Sequence, residues 1–404
     1  MTLIMKFFLR QAARIIVRIF VSPMLHLVYS IFGIRLIYLI TARIAHLAWN
    51  TAVLDYNLNF QQKKLQSGRV LLFAGETCNE QLLRMWMRRL PIIQSRLIGF
   101  IFNADREYLM AKPFLGYPPF KVTEFQEINL IPPLEFTAQE NSEGYKSLAE
   151  MGLSREDWFV CIHARDDIYH SQVRSDHSSR LREINDKSHR NADISTYISA
   201  AKYISDQGGF ALRVGWGVRG VLPEGNPRII DYARNYRNDF DDIFLAGKCR
   251  FFLASGAGLM AVPVMFGVPV ILTNMLPPRL WPLRQNSFIL PKLLRCEKSG
   301  ELVPYSVLQE YGMFTYDFYK AMEWDSPAKY AACGLIPVDN SSEEITAACD
   351  DMFRALNGEP IDPAITELLT FYKKNYCQTT PDALEHGPNL SPSFAAKYAD
   401  IIVN

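Results

Sequence analysis

The sequence has no excess of either charge. Its 404 residues carry 43 Lys and Arg against 42 Asp and Glu, for a net charge of +1. Proteins that bind nucleic acid usually carry a strongly basic domain, so nucleic acid is not the expected partner. Apolar residues make up 49% and aromatic residues 12%, which excludes disorder as the main state and predicts a large core. The length predicts two or three domains.

Cysteine is scarce and follows no pattern. There are seven, an odd number, and no C-x-x-C pair occurs. The spacing therefore indicates neither a structural zinc site nor a disulfide framework. We expect free thiols in a reducing compartment, and neither a bound metal nor a cofactor.

Three common site signatures are also missing. No Gly-Lys-Ser/Thr follows a glycine-rich turn, which excludes a P-loop. No G-x-G-x-x-G follows the first apolar strand, where Gly75-Glu76-Thr77 stands instead, so an NAD site is disfavoured. No G-x-S-x-G elbow is present.

Acidic residues are absent from the first 54 positions. That segment carries six basic residues: Lys6, Arg10, Arg14, Arg18, Arg35 and Arg43. The net charge of the remaining residues is therefore −5. Arginines at every fourth position share one helical face, and apolar residues lie between them. A basic amphipathic helix of this kind is typical of an anionic membrane surface. We expect residues 1–40 to associate with a membrane.

The same segment leaves its mode of attachment open. The uncharged stretch Ile19–Ile34 has 16 residues, fewer than the ~20 that a spanning helix needs. Interfacial anchoring is favoured, with a spanning anchor, a packed helical hairpin and a cleaved signal peptide as alternatives. The arginine excess favours the cytoplasmic face of the inner membrane.

Strands and helices alternate after residue 55, which predicts an α/β fold with parallel sheets. Seven short runs are predicted as strands: Arg69–Ala74, Leu97–Phe102, Trp158–Ile162, Phe210–Val214, Ile229–Asp231, Phe251–Ala254 and Val268–Thr273. A long irregular loop is predicted over 111–135. The expected segments are a membrane-associating stretch at 1–40, two Rossmann-like domains at 41–150 and 151–350, and C-terminal helices at 351–404 that pack back across the domains.

Polar residues follow the strand near residue 160. His163, Arg165 and Asp166 come directly after its apolar residues, and ligands of open α/β sheets bind at the carboxyl ends of strands. His and Arg there are suited to phosphate oxygens, which Arg binds through two parallel hydrogen bonds. The alternative is a solvated loop with a local salt bridge.

Two glycine-containing strand ends also indicate a site for an anion such as phosphate. Ser255, Gly256 and Gly258 follow a strand and precede a helix, where backbone N–H groups bind anions; a tight strand–helix turn is the alternative. Gly215 follows the strand that contains Arg213. Eight basic or imidazole residues then fall between 167 and 192, in a loop that either closes on phosphate or is simply solvated: His170, Arg174, His177, Arg180, Arg182, Lys187, His189 and Arg190.

Several of these pieces together resemble a family of bacterial glycosyltransferases with the two-domain GT-B fold, distantly similar to the O-fucosyltransferase-like group. The resemblance spans about 40–400, although the family has Gly where Ala45 precedes His46. The matching pieces are Arg43–Leu47, Ile162–Asp166, Arg190–Tyr197, Leu212–Gly215, 241–274 and Ser391–Phe394.

The resemblance implies two Rossmann-like domains facing across a cleft, with the acceptor in the first and a nucleotide-sugar donor in the second. It implies donor contacts from His163 and Arg165 and diphosphate contacts from Ser255, Gly256 and Gly258. At the same strand ends, Asp166, Arg213 and Gly215 are further candidates for donor binding. The acceptor would be a cell-envelope glycan or a lipid-linked glycan. Transfer would be metal-independent and inverting, with positive side chains neutralising the diphosphate.

Inverting transfer needs a general base on the acceptor side, for which His46 is the first candidate and Glu76 the second. The D-x-D within Asp239–Asp242 is a form that metal-dependent transferases use, but we interpret it as acids at a helix start. A membrane-associated nucleotide- or carbohydrate-binding protein without catalysis is the main alternative, and an NAD-linked sugar-modifying enzyme is another.

Overall fold

The protein is a mixed α/β structure with parallel sheets, as the sequence predicts. The computed structural model describes residues 3–60, 70–116, 125–166, 168, 188–278, 281, 283–314, 323–324, 326–377 and 382–404. The chain divides into two compact units. Unit 1 consists of Met1–Val122 with Ile131–Phe136, and unit 2 consists of Thr123–Leu130 with Thr137–Asn404.

Unit 1 is built on a four-stranded sheet of order β3-β2-β1-β4, in which every pairing is parallel. Its strands are β1 (Arg35–Tyr38), β2 (Val70–Ala74), β3 (Ile92–Gln94) and β4 (Leu115–Gly116). Its α-helices are Leu3–Ile16, Ser22–Phe32, Ile44–Asn59, Glu80–Met87, Arg96–Ala104 and Arg106–Met110. Because neighbouring parallel strands end at one edge, residues after β1 and β2 lie together there.

The N-terminal helical segment is continuous and packs on unit 1. The two helices Leu3–Ile16 and Ser22–Phe32 are joined by a π-helical turn over Val17–Val21. Gly33, in the left-handed region at φ 64°, ends the second helix. Ala13 and Val17 are buried in a cluster with Tyr38, Phe102 and Phe114, so this segment is part of the fold of unit 1.

The predicted strand Leu97–Phe102 is wrong: this run lies in the helix Arg96–Ala104. The Ser95 side chain caps that helix by accepting the amide of Ile98 at 3.3 Å, so this amide of the first helical turn has a hydrogen-bond partner. An apolar run of six residues fits a buried strand and a buried helix equally well. The predicted loop over 111–135 contains β4 and a helix, Phe125–Leu130; residues 117–124 lie outside the described chain.

Unit 2 contains a seven-stranded sheet in which every pairing is parallel, in the order β13-β10-β9-β8-β5-β6-β7. Its strands are β5 (Phe159–His163), β6 (Phe210–Arg213), β7 (Ile229–Ile230), β8 (Phe252–Ser255), β9 (Val270–Met275), β10 (Phe288–Pro291) and β13 (Asn389–Leu390). Two further strands, β11 (Leu293–Cys296) and β12 (Leu335–Val338), form an antiparallel pair. The strand order reverses between β5 and β8, and this switch point is where doubly wound sheets bind ligands.

The helices of unit 2 follow its strands and turns. Asn238 caps the helix that begins with the Asp239–Asp242 run, accepting the Asp241 amide at 2.8 Å, which confirms that these residues are helix-start acids. The described α-helices are Phe125–Leu130, Ala138–Glu150, Ile198–Asp206, Tyr232–Asn235, Asp239–Lys248, Ala261–Met265, Tyr305–Glu310, Pro327–Ala332, Ser342–Leu356, Pro363–Tyr376, Asp382–His386, Pro392–Lys397 and Ala399–Val403.

A chain of buried hydrogen bonds joins three strands beneath the carboxyl edge of the large sheet. The Asn340 side chain donates to the Pro291 carbonyl at 3.0 Å, and Asn340 and Asn274 exchange amide and side-chain bonds of 2.6 and 2.8 Å. Asn274 donates to the Tyr197 hydroxyl at 3.2 Å. The Tyr197 and Thr273 hydroxyls lie 2.6 Å apart, and Thr273 donates to the Ala254 carbonyl at 3.2 Å. The chain therefore runs without a break from β10 to β8.

The reciprocal asparagine pair should contribute strongly to stability. Asn340→Ala removes the side-chain partners of the buried Asn274 backbone amide and of the Pro291 carbonyl, so we expect the free energy of unfolding to fall by about 2–4 kcal/mol. Urea denaturation measures it, and Asn357→Ala, at an exposed helix end, is the matched control. Equal losses in the two variants would show that the pair contributes nothing of its own.

Candidate functional site

A crevice lies where the order of the large sheet reverses. His163 of β5 and Ala254 of β8 are register partners, and the chain leaves both strands at this edge. The hydroxyl of Ser255, fully buried, accepts the backbone amide of Arg165 at 2.7 Å. The pairing of β5 with β8 ends at His163 and Ala254. Beyond it, this one serine side chain links the two loops that border the crevice.

The His163 imidazole is held in one tautomer. Its Nδ1 lies 3.0 Å from the carbonyl oxygen of Val214, and since a carbonyl only accepts, Nδ1 carries the proton. Burial lowers the pKa of His163 below its ordinary value, so the ring is neutral at physiological pH and Nε2 is a hydrogen-bond acceptor. Gly215, at φ 134°, packs against this ring: a Cβ there would stand 2.8 Å from Nδ1.

Arg165 is buried and lies beside a lysine that the sequence reasoning did not include. Its guanidinium donates to the side-chain oxygen of Asn191, and its carbonyl accepts the Ala192 amide at 3.0 Å. Lys292, which follows β10, donates from Nζ to the Asn191 carbonyl at 3.0 Å and to Asp339 at 2.6 Å. Asn191 therefore holds two cationic side chains near each other at this edge.

Arg213 and Asp166 both fix the loop after β6. The buried Arg213 guanidinium donates to the carbonyls of Arg219 and Gly220 and pairs with Asp231 at 3.3 Å. Asp166 accepts the Arg219 amide at 2.7 Å and the Ile168 amide at 3.0 Å. Apart from the Arg213–Asp231 pair, these hydrogen bonds are to the backbone of the loop after β6 and of Ile168, so both residues shape the site through the segments that they hold.

A cavity of about 700 Å³ opens at the same edge of unit 2, within the ~300–1,000 Å³ range of small-molecule sites. One part of its wall is polar and charged, and includes Asp166, Asn191, Arg213, Arg219, Lys292 and Asp339. The other part is apolar, and includes Ile194, Pro327, Tyr330, Leu335, Ile336 and Pro337. Such a wall suits a ligand with an apolar end and a polar or charged end.

The glycine-containing turn after β8 is followed by a short helix. Gly258 begins a 3-10 turn, Gly258–Met260, and the α-helix covers only Ala261–Met265. Gly256 is the close-approach position: its carbonyl accepts Arg190 at 2.9 Å, and a Cβ there would stand 2.7 Å from the Met275 sulfur. The turn therefore holds Arg190 at the crevice. The five-residue helix that follows adds little dipole to attract an anion there.

The two candidate bases lie in unit 1, at the carboxyl edge of its sheet. His46 is in the first turn of the helix Ile44–Asn59, half-buried, and burial followed by the nearby Arg43 lowers its pKa. Glu76 follows β2 and is exposed, 3.9 Å from Arg96. The two loops are joined, because the Thr41 hydroxyl donates to the Glu76 carbonyl at 2.6 Å.

Part of the basic segment is outside the described residues. His170, Arg174, His177, Arg180, Arg182 and Lys187 belong to that part, while His189 and Arg190 lie in a 3-10 turn, Ser188–Arg190. Within the described part of the chain, no group of three or more His, Cys, Asp or Glu side chains could hold a metal ion. None of the seven cysteines, all of which lie among the described residues, forms a disulfide.

Sequence reasoning missed three contributors to this edge: Asn191, Lys292 and Asp339. Lys292 was detectable, because it follows the short apolar run Phe288–Pro291 as His163 follows the apolar run Trp158–Ile162. Asp339 follows β12 in the same manner. Asn191 gives no local signal, since its position depends on the loop that crosses between β5 and β6.

No family model and no curated protein matches the sequence. Among solved structures, the chain is similar to a glycosyl transferase of family 9 from Veillonella parvula, with a TM-score of 0.42, 9% identity, and coverage of 80% of this chain and 97% of the other. It is also similar to the ADP-heptose LPS heptosyltransferase II of E. coli, with a TM-score of 0.39, 11% identity, and coverage of 63% and 90%. At these values, the function has to be argued from the residues of the chain itself.

Gly215 should be required for the position of the His163 ring. Gly215→Ala and Gly225→Ala both place a side chain at positive φ, but only the first meets a neighbour, so we expect it to lower the free energy of unfolding by about 1 kcal/mol more. Urea denaturation of the two variants measures the difference. In a His163→Ala background the extra loss should disappear; an unchanged difference there would contradict the contact.

Proposed function

We propose that the protein is a glycosyltransferase that moves a sugar from a nucleotide-sugar donor to a cell-envelope or lipid-linked glycan. The observation that carries this proposal is the set of cationic side chains and the half-apolar cavity at the switch point of the seven-stranded sheet. Arg165, Arg190 and Lys292 supply charge for a diphosphate. The wall formed by Pro327, Tyr330 and the β12 residues suits a nucleobase.

Arg165 is the proposed electrostatic catalyst. As the glycosidic bond to the donor breaks, negative charge accumulates on the diphosphate, and a fixed guanidinium stabilises it more in the transition state than in the ground state. The hydrogen bond to Asn191 and the Ser255 bond to the Arg165 amide hold this group before substrate arrives. We propose that this positive charge serves in place of a metal ion.

His163 is the proposed contact for a hydroxyl group of the donor sugar. A neutral ring with Nδ1 bonded to Val214 presents Nε2 as an acceptor, which suits a donor hydroxyl group rather than a phosphate oxygen. This differs from the expectation that His and Arg of the motif both bind phosphate.

In this proposal, unit 1 binds the acceptor across a GT-B cleft and supplies the base for inverting transfer. His46 is the first candidate, because its lowered pKa keeps the imidazole unprotonated at neutral pH, and Glu76 is the second. A lipid-linked acceptor would place the enzyme at the cytoplasmic face of the inner membrane, with the N-terminal segment as its attachment.

Donor binding is tested by thermal shift with UDP-, GDP-, CMP- and ADP-sugars. A ligand that binds only the folded state raises its melting temperature by mass action. Arg165→Ala should abolish most of that shift and lower kcat/KM by about a hundredfold or more, and Arg165→Lys should not restore it fully because the planar fork is lost. Arg354→Ala removes an exposed arginine of unit 2 and should change neither.

Three outcomes decide the assignment of the donor site. Unchanged kinetics in Arg165→Ala would show that the segment Ile162–Asp166 has only a structural role. A nucleotide-sugar that stabilises the protein but is never turned over with any acceptor would favour the binding protein without catalysis. Loss of transfer after EDTA treatment, restored by Mg²⁺, would contradict the proposed metal independence.

The general base is tested by His46→Ala and Glu76→Gln, each assayed for transfer and for the donor-induced thermal shift. The base variant should lose transfer by ~100- to 10,000-fold while binding donor normally. If His46 is the base, transfer by the unmodified enzyme should persist below the ordinary pKa of histidine and fall as pH drops through the lowered value. An acid limb that survives in His46→Ala would assign the role to Glu76 or to another group.

A further inference from the structure

The N-terminal helix has a large apolar face that no described residue covers. Over Gln11–Phe32 it has the length and composition of a helix that could cross a membrane, with a mean hydropathy of 1.9 and only 11% of that window buried. We name as the outer face the side chains that leave more than half their surface exposed, chiefly Ile15, Ile19, Phe20, Met24, Leu27 and Ile31.

The opposite side of the same helix is fastened to unit 1 along most of its length. Ala13 and Val17 are buried in the core cluster, and Leu25 and Tyr29 pack against it. Polar bonds accompany this packing, since Arg14 donates to the Ala104 carbonyl at 3.0 Å and Arg18 pairs with Asp105 at 2.5 Å.

The π-turn keeps this inner side in register. Val17 and Ser22 are both buried although they are five residues apart, a spacing that an α-helix would place on different faces. A π-turn takes about one residue more per turn than an α-helix, so it rotates the following helix back. Leu25 and Tyr29 then continue the contact that Ala13 and Val17 begin.

This attachment conflicts with a spanning arrangement. From Ala13 to Tyr29 the helix runs about 24 Å at ~1.5 Å per residue, and over that distance one flank contacts a folded unit. A spanning helix would need lipid or another membrane helix on that flank, and it would lose the partners of Arg14 and Arg18.

We propose that the helix lies flat in the interface of an anionic bilayer while it stays packed on unit 1. The outer face enters the boundary between headgroups and acyl chains. The proposal places Leu97 and Phe100 of the neighbouring helix, both more than half exposed, on the same membrane-facing surface. This inference rests on the membrane association within the proposed function and specifies its geometry: the enzyme is monotopic.

Charge favours an anionic lipid surface over a second copy of the chain. Residues 1–54 carry six basic residues and no acid. Arg14 and Arg18 remain exposed although both bond to unit 1, where Asp105 pairs with Arg18, and Arg96, highly exposed, stands next to Leu97. Two copies meeting through this face would bring like charges together, whereas anionic headgroups neutralise them.

Vesicle flotation of the full chain tests the surface. Binding to phosphatidylglycerol-containing vesicles should exceed binding to phosphatidylcholine vesicles and should weaken with salt. Phe20→Glu and Leu97→Glu should each lower binding by about tenfold or more. Val221→Glu, as exposed as Phe20 but in unit 2, should not. Substitutions are preferable to deleting residues 1–35, because the deletion would uncover the core cluster and remove part of β1.

Depth in the bilayer tests the orientation. Phe20→Trp, Ile31→Trp and Leu97→Trp are each compared with the unmodified chain in vesicles of brominated lipid. The flat arrangement predicts similar quenching at all three positions, stronger with bromine near the headgroup than with bromine deep in the chain. Deep quenching at Phe20 with none at Leu97 would show a spanning helix and overturn the proposal.

Other results would also overturn it, independently of transferase activity. Absence of vesicle binding together with dimerisation that Phe20→Glu abolishes would identify a second copy as the occupant. Because no donor or acceptor enters these assays, a chain that binds vesicles as described but transfers no sugar would retain this inference while contradicting the proposed function.

Discussion

Polar groups buried beneath the carboxyl edge of the large sheet must be satisfied inside the protein, and the hydrogen-bond chain from Pro291 to Ala254 meets that requirement. Burial raises the pKa of Tyr197 to about 12, so its hydroxyl keeps the proton that it donates to Thr273. Asn274, at φ 54°, is the one described non-glycine residue at positive φ. That strain is tolerated because both of its amide groups are bonded. With β8 to β10 held in this way, Ser255 has a fixed position from which to accept the Arg165 amide.

Local patterns in the sequence were enough to predict the α/β class and most strands of unit 2. An apolar run that ends in polar residues identifies a strand end without knowledge of its neighbours, as at His163 and Ser255. The run Leu97–Phe102 was assigned wrongly because its periodicity fits both element types, although Ser95, at the N-cap, was a signal of a helix. Lys292 and Asn191 come together only through the sheet order, which no local pattern contains.

Arg165 and Arg213 show why residue type alone does not reveal a role. Both are buried arginines at the ends of adjacent strands. Arg213 is engaged by two backbone carbonyls and Asp231, so its removal would first disturb the loop that carries Gly215 and Gly220. Arg165 is held by an asparagine that itself lines the cavity. The two arginines differ in their hydrogen-bond partners. Those partners lie in loops about 20 residues away along the chain.

The π-turn at Val17–Val21 also affects how this segment is seen by methods that project a sequence onto a helical wheel. A wheel drawn at a constant ~100° per residue is correct up to Val17 and out of step after Val21. Beyond the turn it places Leu25 and Tyr29 among the outward residues and mixes two faces that the folded helix keeps apart. The segment then looks evenly apolar around its circumference, which is the signature of a helix that crosses a bilayer. One extra residue in one turn is therefore enough to make a segment that rests on a protein resemble one that is surrounded by lipid.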